Sequence, residues 1–245
     1  AYLKSDKNVG WLVSCDGHYN LMMVTWVRNT MLFDNFYKEF LKKYSKYIKE
    51  RDILIITENH ACGKKYLFDK QTNYAPDKYY RGEPENNLDL TEFRIIKELA
   101  NNSRVPLQSV SESMNLTSEA IAYRIKQLLK RDVIQAFRPI INTSFLGYQY
   151  YNILFKLRKY DRVEKIFNFF KQESHIVYFV KYLGNYDIGI DLEVKNVNEL
   201  REILKKIKDT FKDDIESYNS ILVYQQHKLS YLPNQEDNVK KINEA

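Results

Sequence analysis

The sequence predicts an α+β protein, and three observations carry that prediction. Residues 88 to 131 hold three successive helical periodicities, and Tyr150 to Tyr224 alternates strands and helices in the order βαββαβ. A weaker copy of the second pattern occupies the first 68 residues. The expected division is a partial βαββαβ unit over 1–68, a linker over 69–87, and a three-helix unit with a wing over 88–138. A hinge over 139–149, a complete βαββαβ unit over 150–232 and a tail over 233–245 follow.

The three-helix unit opens at Leu88, where Asp89 is suited to capping and Phe93, Ile96 and Leu99 recur at helical spacing. A short second helix fits Leu107 to Met114, with Leu107, Val110 and Met114 on its inner face. Asn115-Leu116-Thr117 makes the turn, and Thr117 caps a third helix that runs to about Arg131. Ile121, Ile125 and Leu128 give this third helix a core face, opposite Glu119, Tyr123, Lys126 and Lys130, with Ala122 and Gln127 on the flanks. From Thr117 to Arg131 four cations (Arg124, Lys126, Lys130, Arg131) face one anion, Glu119. A basic helix with hydrogen-bonding residues toward its N-terminal half is what the DNA major groove accepts. Ser118, Ala122 and Tyr123 are expected at base edges, with Glu119 and Gln127 beside them. Arg124, Lys126, Lys130 and Arg138, the last on a wing strand over Val133 to Arg138, are expected at phosphates.

Charge on one helix face is commonplace; the order of long helix, short helix, tight turn, basic helix and wing gives it meaning. The run resembles the winged helix-turn-helix of the Lrp/AsnC (leucine-responsive, feast/famine) transcription regulators. The resemblance rests on Leu88, Asp89, Ile95, Leu99, Arg104, Val110, Leu116, Thr117, Arg124, Ile125, Leu128, Val133 and Ile134. Thr117 stands where that family has Ser, and still caps. Asp132 stands where it has Gly, and Asp tolerates the left-handed conformation better than most residues.

Downstream, Tyr150–Leu157 is a β-branched and aromatic run, and Val163–Gln172 is helical with Ile166, Phe169 and Phe170 inward. Ile176–Leu183 and Ile188–Val194 are strands around a Gly184-Asn185-Tyr186-Asp187 turn; Val197–Phe211 is a helix and Ser217–Tyr224 a closing strand. This order is the ferredoxin-like arrangement. It resembles the family's regulatory domain, which assembles oligomers and in many members binds an amino acid. On that resemblance Gly184, Tyr186 and Asp187 are the expected effector site, with Asp187 pairing the ligand's ammonium. The alternating Ile188, Ile190, Leu192 and Val194 are expected to form a face that packs on a second regulatory domain.

The partial copy is set by Trp11 to Asn20, which parallels Tyr178 to Asp187; Gly17 and Gly184 are 167 positions apart. Phe33, Phe36 and Phe40 then match Leu200, Ile203 and Ile207, and Ile48 and Ile55 match Ile215 and Leu222. This copy begins inside its first helix, so the sequence reads as a tandem form whose first unit is cut short, and as a fragment rather than a natural truncation. The partner of the complete regulatory unit is then either a second chain or residues 1–68, giving an internal pseudo-dimer. Asp69 to Asn87 contains Pro76, Gly82 and Pro84 and no Val, Ile, Leu, Met or Phe, and reads as a linker.

The whole-chain balance agrees. A net charge of +6 suits a polyanionic partner such as double-stranded DNA. Cys15 and Cys62 cannot form a disulfide framework, and with no secretory signal or membrane-length apolar run the expected location is cytoplasmic. His18, His60, His175 and His227 never stand at close metal-ligand spacing, and no glycine-rich loop suited to a phosphate cofactor is present. Asp187 and Asp191, four apart, are expected to be solvated rather than catalytic. The competing expectation is an enzyme resembling the siroheme decarboxylases of the same two-domain family. Its tetrapyrrole carboxylates would need His175, His227, Arg158, Arg162 and Arg201 to converge.

Overall fold

The structure, a computed structural model, describes residues 2–68, 78–81 and 88–232. The first copy contributes α1 (Tyr2–Ser5), β1 (Val9–Asp16), β2 (Leu21–Thr25), α2 (Thr30–Tyr44) and β3 (Ile55–Ala61). A short strand β4 (Lys78–Arg81) follows, then the helix trio α3 (Leu90–Asn101), α4 (Leu107–Met114) and α5 (Ser118–Lys130). The second copy is β5 (Gln149–Leu157), α6 (Val163–Gln172), β6 (Ile176–Leu183), β7 (Ile188–Val194), α7 (Val197–Thr210) and β8 (Ile215–Leu229).

Among the described residues all eight strands join one antiparallel sheet in the order β2-β1-β8-β5-β7-β6-β3-β4. Its middle four strands run β8-β5-β7-β6, the ferredoxin-like order of the complete copy. The first copy attaches at both ends, through β1 against β8 and β3 against β6. The two seams share one register. Asp16, Cys15, Ser14 and Val13 pair with Leu222, Val223, Gln225 and Gln226; adding 167 to β3 and subtracting it from β6 reproduces these partners. There Leu183, Tyr182, Lys181 and Val180 pair with Ile55, Ile56, Glu58 and Asn59. Even the register slip recurs at the matching step of each seam.

Each face of the middle sheet has its own core. Ile153, Phe155, Phe179, Ile188, Ile190, Leu192 and Val194 pack under α6 and α7 with Ile166, Phe170, Leu200, Ile203 and Ile207. Leu154, Val180, Tyr182 and Ile221 pack on the opposite side against Val13, Cys15, Met22, Leu54 and Ile56 of the first copy. This corrects one expectation: the alternating isoleucines of β7 face their own helices, and it is the other face of the sheet that meets the first copy. All seven residues of β7 are buried, because both faces are covered.

Other differences follow from pairing. β8 runs past Tyr224 to Leu229 because its second half is held by β1. The expected linker holds β4, which pairs with β3; its remaining residues and the tail beyond Leu232 lie outside the described residues. No strand forms over Val133–Arg138; Val133 and Ile134 instead pack on the helix trio. Leu107, expected on the inner face of α4, is exposed at its first turn, whereas Phe167, not singled out, is buried.

Candidate nucleic-acid interface

The helix trio folds around Ile95, Leu99, Val110, Ile121 and Leu128. Asp89 caps α3 by accepting the Glu92 N–H at 2.7 Å, and Glu92 returns the bond to the Asp89 N–H, completing a capping box. Asn115 takes the left-handed conformation (φ 53°) between α4 and α5, and the Leu116 N–H donates to the Ser111 carbonyl at 3.0 Å. Thr117 then caps α5 by accepting the Ala120 N–H at 3.2 Å. At the far end Asp132 is left-handed (φ 56°), the role expected of it.

With Ile121 and Leu128 fixed inward, helical geometry turns Glu119, Ala122, Tyr123, Lys126, Leu129 and Lys130 outward, and all six are exposed. Leu129 is the member of this face that the sequence did not single out. Two of the remaining expected contacts, Ser118 and Arg124, are tied to the scaffold. Ser118 Oγ lies 3.3 Å from Ser111 Oγ, and Arg124 donates to Asp89 at 2.6 Å. Burial works against ionisation of Asp89, yet the Glu92 N–H and Arg124 hold its pKa below the ordinary value. Arg131 forks onto both oxygens of buried Glu92, each at 3.1 Å. Two of the four α5-region cations therefore clamp α5 to the start of α3. Lys126 and Lys130 make no ion pair among the described residues. A cleft of about 370 Å³ beside this clamp is lined by Glu92, Ala120, Tyr123, Arg124, Gln127 and Arg131. Arg138 is exposed and stands near Tyr178 of β6, where its charge offsets part of the burial-driven rise of that phenol.

The residues of the expected effector site have partners of their own. Gly184 (φ 146°) leaves no room for a side chain: a Cβ there would sit 2.7 Å from Leu54 Cδ2 and 3.0 Å from the Ile53 carbonyl. The Tyr186 hydroxyl accepts from Asn219, and Asp187 accepts the Leu157 N–H at 2.7 Å. Asp191 is not solvated but buried, and burial raises its pKa to about 6 against hydrogen bonds from Asn152 and Tyr150. Three of the five residues a tetrapyrrole would need are likewise engaged separately. His175 meets Glu199 at 3.0 Å, His227 meets Ser14 at 2.7 Å and Arg162 meets Asp214 at 3.6 Å.

Comparison with known proteins agrees with this geometry. Residues 88–135 match a winged helix-turn-helix DNA-binding family model. The chain is similar to the HTH-type transcriptional regulator FL11 of Pyrococcus abyssi, 32% identical over 143 residues, covering 58% of this chain and 93% of that protein. The fold is similar to that of E. coli AsnC (TM-score 0.51, 19% identity, 56% of this chain and 93% of that one). It is also similar to the regulator NMB0573 of Neisseria meningitidis, solved as an L-Met complex (TM-score 0.54, 17% identity, 62% and 99%). The chain belongs to the Lrp/AsnC family of helix-turn-helix transcription regulators. Within that family its α+β architecture, a winged helix-turn-helix joined to a ferredoxin-like sheet, makes it a DNA-binding regulator. Among the described residues no helix is long and apolar enough to cross a membrane.

Proposed function

We propose that this regulator reads duplex DNA sequence-specifically through the exposed face of α5. Ala122 and Tyr123 reach base edges, with Ser118, Glu119 and Gln127 flanking them, and Lys126, Lys130 and Arg138 hold phosphates. The observation that carries the reading is the division of labour among the cations. Arg124 and Arg131 are spent on Asp89 and Glu92 inside the unit, while Lys126 and Lys130 remain turned to solvent. Arg124 thus positions α5 and reaches a phosphate only by exchanging Asp89 for it.

Residues 2–68 serve as the regulatory partner of residues 150–232, making an internal pseudo-dimer. A two-fold operator is read by two helix-turn-helix units, of which α3–α5 is one, and the regulatory domains bring the two together on DNA, in the cytoplasm. An amino acid, bound beside Gly184, Tyr186 and Asp187, modulates that assembly. The family likeness and the L-Met complex of NMB0573 support this part. The dispersed partners of His175, His227 and Arg162 favour a regulator over a tetrapyrrole enzyme.

The test is selection of bound duplexes from a random pool with the purified full chain, followed by Lys126→Ala. One enriched motif is expected, with affinity reduced similarly on motif and non-motif DNA by the substitution. No enrichment, or affinity indifferent to Lys126, would refute the assignment.

A further inference from the structure

A second basic surface lies on α7, which is not part of the helix trio. Arg201, Lys205 and Lys208 stand at i, i+4 and i+7, so they share one face, and all three are exposed. None makes an ion pair among the described residues, whereas Lys206 on the same helix is paired with Glu173 at 3.1 Å. Their face is not a flat solvated surface. A cleft of about 270 Å³ between α7 and β8 is lined by Arg201, Leu204, Lys205, Lys208, Asp209 and Tyr218. Lys208 Nζ lies 5.6 Å from the centre of the Tyr218 ring, which holds its stem beside the cleft floor. Three cations thus converge with one carboxylate on a groove with an aromatic floor.

The internal repeat supplies a control. The residues 167 positions earlier are Asp34, Lys38 and Leu41 on α2, and Asp34 and Lys38 neutralise each other at 2.5 Å. The same helix in the first copy therefore lacks the groove's charge, so the ferredoxin-like fold does not itself require it.

We propose that this α7–β8 groove binds phosphates of the DNA backbone, extending the contact track beyond α5. The proposal rests on the DNA-binding reading. Its chemistry is that of phosphodiester oxygens: ammonium and guanidinium groups spaced along one helix face, with no base-reading geometry required. Bound DNA that continues past the recognition helix then runs over the regulatory domain instead of leaving the protein.

The experiment measures salt-dependent binding of the full chain to a random-sequence duplex of about 60 base pairs by fluorescence anisotropy. Arg201→Ala/Lys205→Ala/Lys208→Ala should lower the slope of log affinity against log salt by about 2.7, at about 0.9 per lost phosphate contact. The charge-keeping variant Arg201→Lys/Lys205→Arg/Lys208→Arg should retain the slope, which separates charge from folding. Lys126→Ala, run in parallel, should lower it by about 0.9. An unchanged slope in the triple alanine variant beside a lowered slope in Lys126→Ala overturns the groove and leaves α5 standing. Unchanged slopes in both overturn the groove and the α5 reading together. Calorimetric binding of ATP that the triple variant abolishes, with the duplex slope unchanged, would make this a small-anion site and overturn the DNA assignment.

Discussion

The two copies of the ferredoxin-like unit share a register but not a core. In the second copy α7 buries Leu200, Ile203, Leu204 and Ile207; in the first, α2 buries only Phe36 and Phe40. β8 begins at Ile215, but β3 begins at Ile55, seven positions later in the repeat than Ile48, the match to Ile215. The cause is a neighbour. Residues 215 to 223 pair along β5, and among the described residues no strand occupies the corresponding place between β2 and β3. Ile221 is fully buried while Leu21, Ile53 and Ile55 of the first copy are exposed. An apolar strand sequence is therefore insufficient for a strand; it also needs the ladder partner that satisfies its backbone.

The seams differ in chemistry as well. On the β3–β6 seam Lys181, nearly buried, is held by Glu58 at 3.1 Å, and just past β3 Lys64 pairs with buried Glu193 of β7. The matching pair on the β1–β8 seam is neutral Ser14 and Gln225. The inter-copy glycines are alike, each closing against the other copy's backbone: Gly184 against the Ile53 carbonyl and Gly17 against the Ser220 carbonyl.

Substitutions at matching positions break or sharpen this comparison. Gly184→Ala combines φ 146° with a 2.7 Å clash and should cost about 4 kcal/mol in urea unfolding. Gly17→Ala, with φ 126° and a nearest atom at 3.1 Å, should cost about 2 kcal/mol. Equal and negligible losses at both would dissolve the internal two-fold.

A smaller effect distinguishes Asp191 from its first-copy counterpart, Val24. The folded pKa of Asp191 is about 6 against an ordinary 3.8, so the unfolded chain ionises first as pH rises. Stability from this group is complete below about pH 4 and is lost as pH climbs through 6, by about 3 kcal/mol at about 1.4 per unit. Asp191→Asn should remove that slope from a pH series of urea midpoints. A slope that persists would assign it to another group.

Next, Glu58→Gln should cost about 2 kcal/mol by stripping Lys181 of a half-buried partner, although exposed Glu164 at 2.7 Å remains. Gln225→Glu, its counterpart on the neutral seam, should change stability by less than about 0.5 kcal/mol. Similar losses would mean that the seams are chemically equivalent.

Much of this architecture was legible from periodicity. The three helices of the DNA-binding unit, the βαββαβ order and the repeat all follow from apolar spacing. Periodicity named the right residues of β7 but not their neighbour, because alternation tells which residues share a face and not what covers it. Asp191 reads as solvated from sequence for the same reason: alternation does not reveal that both faces of β7 are covered. At the interface, Lys126 and Tyr123 were legible as outward positions. The Arg124–Asp89 and Arg131–Glu92 pairs were not, since each joins residues 35 and 39 positions apart across a tertiary contact.

The smallest expected effect concerns the Gly184–Asp187 turn, the proposed effector site. Asp187→Asn keeps an oxygen for the Leu157 N–H but loses its charge, so stability should fall by about 1 kcal/mol or less. Amino-acid binding measured by calorimetry should disappear, while changes at Asn20, the first-copy counterpart, leave it intact. Binding that survives Asp187→Asn would place the effector elsewhere.

The claim beneath the comparison is that the two copies share one sheet within a single chain, and cross-seam cysteines test it most directly. Ser14→Cys/Gln225→Cys and Glu58→Cys/Lys181→Cys each join register partners. After oxidation at low concentration, non-reducing mass spectrometry should show the mass of one chain with the paired peptides linked. Two chains joined through these positions, or no linkage on either seam, would contradict it.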